Sequence, residues 1–88
     1  MRITFKLFAM LTDYLPRQVD GRPRSGNVIE LDLPEGITVQ QVIDRFDLPA
    51  RLVHLVLVDG TFVPKEERES RELVDGQTLA IWPPVAGG

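Results

Sequence analysis

The stretch "PEGITVQQVIDRF", Pro34–Phe46, changes the hydrophobic period of the chain and decides how the rest is read. Val39, Val42, Ile43 and Phe46 fall at i, i+3, i+4 and i+7, one face of an α-helix. Thr38 followed by Gln41 has the spacing of a capping box, in which hydroxyl and amide each satisfy an orphan backbone N–H. Asp47-Leu48-Pro49 should stop the helix, because a residue before proline is biased out of the helical region.

On both sides of this helix the period returns to two. "RITFKLF" puts Ile3, Phe5 and Leu7 on one face and Arg2, Thr4 and Lys6 on the other, a half-buried strand. "VIELDL" alternates likewise, with Ile29, Leu31 and Leu33 inward. After the helix, "HLVLVDGTFV" reads as a strand, a tight Asp59-Gly60 turn and a short return strand, since Asp-Gly supplies the positive φ angles of a two-residue hairpin loop. "LVDGQTLAIW" repeats the Asp-Gly turn at Asp75-Gly76 and ends in a strand with Leu79 and Ile81 inward. "AMLTDYL" suits a short helical turn, "PRQVDGRPRSGN" a loop and "PKEERESRE" a polar connection. The order β, β, α, β, short β, β predicts an α+β domain in which a mixed sheet of four to five strands packs on one main helix. That is the β-grasp, or ubiquitin-like, arrangement; ferredoxin-like folds need a second helix, which the sequence lacks.

The 88 residues suit one domain, read as a folded body over 1–82 and an extended tail over 83–88. Hydrophobic residues at 43% and charged residues at 26% are ordinary for a globular chain. A net charge of −3 argues against a nucleic-acid partner. The absence of a long apolar run argues against a membrane, and the alternating "MRITFKLFAML" against a signal peptide; the expected location is the cytoplasm. With no cysteine, disulfides, thiolate catalysis and cysteine-rich metal sites are excluded, and a single histidine, His54, leaves little scope for a catalytic triad.

The chemistry is therefore sought at the end of the chain, Trp82-Pro83-Pro84-Val85-Ala86-Gly87-Gly88. Pro83 and Pro84 remove two N–H donors and must end the pairing of the last strand. Beyond them Val85 to Gly88 spans about 13 Å when fully extended. Glycines at the tip let a backbone enter a narrow channel. A terminal carboxylate, with a pKa near 3.5, is ionised and unreactive toward nucleophiles until it is activated. Attack on the α-phosphate of ATP would give an acyl-adenylate, from which sulfide or an amine displaces AMP. The chain has no phosphate-binding loop of the G-x-x-x-x-G-K-[ST] type, so activation must come from a partner.

This ending, preceded by Leu73-x-Asp75-Gly76-Gln77-x-Leu79, resembles the MoaD/ThiS family of sulfur carriers, with a tail most similar to that of MoaD, the small subunit of molybdopterin synthase. The resemblance extends to "ITFKLFA", "LPEGITVQQVI" and "VLVDGTFV". It implies a β-grasp carrier that is no enzyme on its own and binds no cofactor. It further implies that an E1-like enzyme of the MoeB/ThiF type adenylates Gly88 with ATP, and that Gly88 becomes a thiocarboxylate. The sulfur would then reach the pterin precursor of the molybdenum cofactor in the molybdopterin synthase large subunit. "LVLVDGTFVP" is similar to the "VNG…VP" hairpin of ThiS, which keeps open a carrier for thiamine thiazole synthesis and a thiazole synthase-like acceptor. A modifier joined to lysine amines through Gly88 is the other alternative. The family resemblance places Gly87 beside the reactive carbon and makes Phe62, Trp82, Pro83, Pro84, Val85 and Ala86 the docking residues. Trp82 should point opposite to Leu79 and Ile81; Phe62 is divided between docking and core.

Of the remaining residues, Arg17, Arg22 and Arg24 read as a solvated loop whose counter-charge is Asp20. Lys65 to Glu72 reads as a soluble face of mixed sign. His54 reads as a strand-end residue, since a general base needs an orienting neighbour. In MoaD-like proteins a helix generally continues through the 16–27 region, so the first helix here is expected to be short or missing.

Overall fold

A computed structural model describes residues 1–84. Five strands form one mixed sheet in the order β4 (Val28–Asp32), β1 (Arg2–Leu7), β7 (Thr78–Trp82), β5 (Leu55–Val58), β6 (Thr61–Phe62). β1 and β7 are parallel; the other neighbours are antiparallel. The helix α1 (Val39–Arg45) is the crossover that lets the first and last strands lie side by side in one direction. This is the expected β-grasp sheet at its full count of five strands.

The period-two pattern does what it predicts. Ile3, Phe5, Leu7, Ile29, Leu31, Val56, Val58, Leu79 and Ile81 are all buried on the side that faces Val39, Val42 and Ile43 of α1. Phe46 closes the stack, its ring centroid 5.0 Å from that of Phe5. The capping box forms as read: Thr38 Oγ1 accepts from the Gln41 N–H at 3.2 Å, and Gln41 Oε1 from the Thr38 N–H at 2.9 Å. The stop signal differs from the one expected. The helix ends in a Schellman motif around Asp47, whose φ is 54°. There the Leu48 N–H donates to the Ile43 carbonyl at 3.2 Å and the Asp47 N–H to that of Asp44 at 3.1 Å. Buried Leu48 supplies the hydrophobic contact that goes with such a cap.

Both Asp-Gly turns form, in different ways. Asp59 (φ 49°) and Gly60 (φ 81°) are both left-handed, as the β5–β6 hairpin requires. At the second turn only Gly76 is left-handed (φ 86°), and the Gln77 N–H donates to the Val74 carbonyl at 3.1 Å, the pattern of a type II turn. Each aspartate also caps a neighbouring strand. Asp59 Oδ1 accepts from the Thr78 N–H at 2.8 Å, and Asp75 Oδ1 from the Arg2 N–H at 2.7 Å.

The 16–27 stretch is not a plain loop. It folds into a two-stranded hairpin, β2 (Gln18–Val19) and β3 (Arg22–Pro23), turned at Asp20-Gly21. Before it, Ala9–Tyr14 is a 3₁₀ turn, as short as expected. Two of its arginines find partners too distant in sequence to foresee. Arg22 pairs with Asp32 on β4, and Arg24 Nη1 donates to the carbonyls of Thr12 and Leu15, both at 2.9 Å. The Lys65–Glu72 segment also departs from a simple soluble face, because Arg68 within it is buried.

Candidate functional site

The outer face of the sheet, away from α1, divides into two halves. Across β4 and β1 it is polar. Arg2 and Arg22 share the Asp32 carboxylate, and Thr4 Oγ1 donates to Glu30 Oε1 at 3.0 Å. Hydrogen bonds from Arg22 and then Arg2 hold the Asp32 carboxyl below the usual carboxylate range.

Across β7, β5 and β6 the same face is apolar. Cross-strand register pairs Leu55 with Trp82, Leu57 with Ala80 and Leu57 with Phe62, so all five side chains lie on one side. Leu55, Leu57 and Trp82 are half-buried, and Phe62 is 55% exposed, which takes it out of the core. Trp82 lies opposite to Leu79 and Ile81 and stacks on Phe8, with centroids 4.0 Å apart and planes within 8°. The indole is thus held on one face by Phe8 and stays half-buried outside the core.

β7 is held on both edges up to its last residue. The Phe8 N–H donates to the Ile81 carbonyl at 3.1 Å from one side; the His54 N–H donates to the Trp82 carbonyl at 3.0 Å from the other. Pairing stops at Pro83, which has no N–H to continue it. Pro83 is buried and Pro84 exposed. The chain therefore leaves the fold from a rigid, central strand end beside the apolar half-face. Val85, Ala86, Gly87 and Gly88, to which docking and reactive roles fall in the sequence, lie outside the described residues. His54 serves here through its backbone and lies at the strand's start.

Leu55, Leu57 and Phe8 complete this face without having been singled out from the sequence. The signal was present in each case. "LVLV" has no polar residue, which marks a strand apolar on both faces, and Phe8 breaks the alternation begun at Arg2. Among the described residues no cluster of His, Cys, Asp or Glu is arranged to hold a metal ion, and no helix is long and apolar enough to cross a membrane.

Solved structures share the fold, among them the following three. SAMP1, the small archaeal modifier protein 1 of Haloferax volcanii, is 22% identical with a TM-score of 0.67, covering 100% of both chains. The thiamine biosynthesis protein ThiS of Geobacter metallireducens is 17% identical with a TM-score of 0.64, again over 100% of both. A putative molybdopterin converting factor subunit 1 of Pyrococcus furiosus is 21% identical with a TM-score of 0.63, over 96% of this chain and 98% of that one. No curated protein matches in sequence. The profile of the ThiS family matches residues 18–88.

Proposed function

Since the chain belongs to the ThiS family, one of sulfur carriers and ubiquitin-like small modifiers, we propose that it carries sulfur as a thiocarboxylate on Gly88. The observation that supports this most is the junction at Trp82. A strand clamped on both edges is released by Pro83-Pro84, next to an apolar half-face.

In this reading an E1-like enzyme docks on Leu55, Leu57, Phe62 and Trp82 and receives the tail. A carboxylate oxygen of Gly88 attacks the α-phosphorus of ATP and pyrophosphate leaves. Sulfide then attacks the acyl carbon of the adenylate and AMP leaves, so that sulfur replaces one oxygen. In this reading the activating enzyme supplies the catalytic groups for these steps. The carrier supplies placement, because a strand end fixed by hydrogen bonds from Phe8 and His54 gives the tail one starting direction. The Pro83-Pro84 pair keeps the backbone extended as it leaves.

The acceptor proposed is the large subunit of a molybdopterin synthase, in the cytoplasm. The aromatic-Pro-Pro junction supports it, since Trp82 occupies the position from which MoaD-like carriers contact that subunit. The experiment loads the carrier with sulfide, ATP and an E1-like enzyme, then offers it to molybdopterin synthase large subunit with its pterin precursor. Dithiolene formation is the expected result. Sulfur delivery to a thiazole synthase alone would move the chain to thiamine synthesis. Isopeptide conjugates on lysines, without sulfur transfer, would make it a modifier.

A further inference from the structure

A cleft adjoining the apolar half-face opens between α1, the 49–54 segment and the turn at 65–69, with Ile43, Leu48 and Val53 on its walls. Arg68 also lines it and is only 7% exposed. Its Nη2 donates to the His54 carbonyl at 3.4 Å, a long bond. Its Nε is buried without a partner among the described residues, and none of the ion pairs of those residues includes it. Burial holds the guanidinium below its ordinary pKa, and the charge of Glu66 on the rim offsets this only in part.

The backbone around Arg68 is fixed. Its carbonyl accepts from the Gln40 N–H at the start of α1 at 2.9 Å, and its own N–H donates to the Lys65 carbonyl at 3.3 Å. A methionine would fill the same space with no charge to desolvate, and replacing a buried charge by an apolar residue is often neutral or stabilising. The guanidinium is therefore expected to add little or no stability to the free protein.

We propose that this cleft is a carboxylate pocket, in which Arg68 receives an Asp or Glu side chain of the protein docked on the adjoining apolar face. The proposal rests on the docking role of that face and continues it, because Phe62 belongs to the face and also lines the cleft. The rim decides the occupant. It carries Asp44, Glu66 and Glu69 against Lys65. Gln40 Nε2 donates to Asp44 Oδ1 at 2.9 Å, which engages that carboxylate within α1. A free phosphate, with more negative charge, is repelled by such a rim. A single carboxylate carried between basic residues on a protein surface meets opposite charge at every position, the guanidinium taking the carboxylate and the rim acids taking its neighbours.

Two measurements test it, and they fail separately. In the free protein the Arg68 Nε–H resonance is followed by NMR during titration with sodium acetate, sodium chloride and inorganic phosphate at matched ionic strength. A saturable shift with acetate, absent with chloride and weaker with phosphate, is expected. Equal shifts with acetate and chloride, no shift, or tighter phosphate binding would overturn the carboxylate assignment. In the second measurement Arg68→Met is expected to melt no lower than the parent and to bind the E1-like enzyme at least tenfold more weakly. A lowered Tm with unchanged affinity would make Arg68 structural. If Phe62→Ala and Trp82→Ala leave that affinity untouched, the docking reading fails, and the acetate titration alone decides the pocket.

Discussion

The polar and apolar halves of the sheet's outer face are built on adjacent strands, yet they put side chains to opposite uses. Over β4 and β1 the outward groups Arg2, Thr4, Glu30 and Asp32 have partners in their own chain: Arg2, joined by Arg22 of β3, on Asp32, and Thr4 on Glu30. Such exposed pairs are weak and finished, with nothing left to offer a second protein. Over β5, β6 and β7 the outward apolar groups are Leu55, Leu57, Phe62 and Trp82, which lie beside each other, Ala80 and Phe8. Their value is realised when another surface covers them. The strand that ends in the tail is the one that borders both halves. In the proposed reading, this division orients a partner toward the apolar side of the end of β7.

The sharpest way to break this contrast is to remove the chemistry and leave both halves intact. Deleting Gly88 is expected to abolish thiocarboxylate formation and to leave Tm nearly unchanged, because it removes no side chain and the core cluster among the described residues is made by residues up to Ile81. A thiocarboxylate assay and a melting curve check both parts. Next in size is the opposition of inner and outer faces on one strand, β7. Leu79→Ala, under α1 and fully buried, should cost about 2–5 kcal/mol by denaturant unfolding. Trp82→Ala, three residues on, should weaken binding of the E1-like enzyme by about 2 kcal/mol in a titration, with a smaller loss of stability. If the two variants exchange these phenotypes, the docking face is misplaced.

The smallest effect belongs to the polar half. The Asp32 carboxyl has its pKa depressed in the fold, so its contribution is present above the ordinary carboxylate pKa of about 3.9 and is lost as pH falls through the lower folded value. Asp32→Asn should therefore melt slightly below the parent near neutral pH, and the difference should vanish in acid. Partner binding should not change. A binding defect in Asp32→Asn would extend the docking surface across the whole sheet.

The sequence made the frame of this molecule legible because local rules determine it. A capping box and a 3.6-residue period specify α1, alternation specifies the buried face, and Asp59-Gly60 specifies the hairpin. What escaped depends on encounters between distant residues. Arg22 meets Asp32, and Arg24 reaches the carbonyls of Thr12 and Leu15, only because the 18–23 hairpin folds back on β4. Arg68 sits in a stretch so rich in charge that no periodicity marks it, and it is buried because α1 and the 49–54 segment close over it. The helix stop was placed correctly for an incomplete reason. The sequence announces Pro49, but the left-handed Asp47 and its two hydrogen bonds end the helix first.

The most direct test of the central claim is the intact mass of the purified protein before and after incubation with ATP, an E1-like enzyme and sulfide. The account predicts a shift equal to exchanging one oxygen for sulfur, mapped to Gly88 and lost when Leu57 is replaced by Asp on the apolar half-face. An unchanged mass with E1-like enzymes that adenylate other ThiS-family carriers, or a shift that survives Leu57→Asp undiminished, would contradict it.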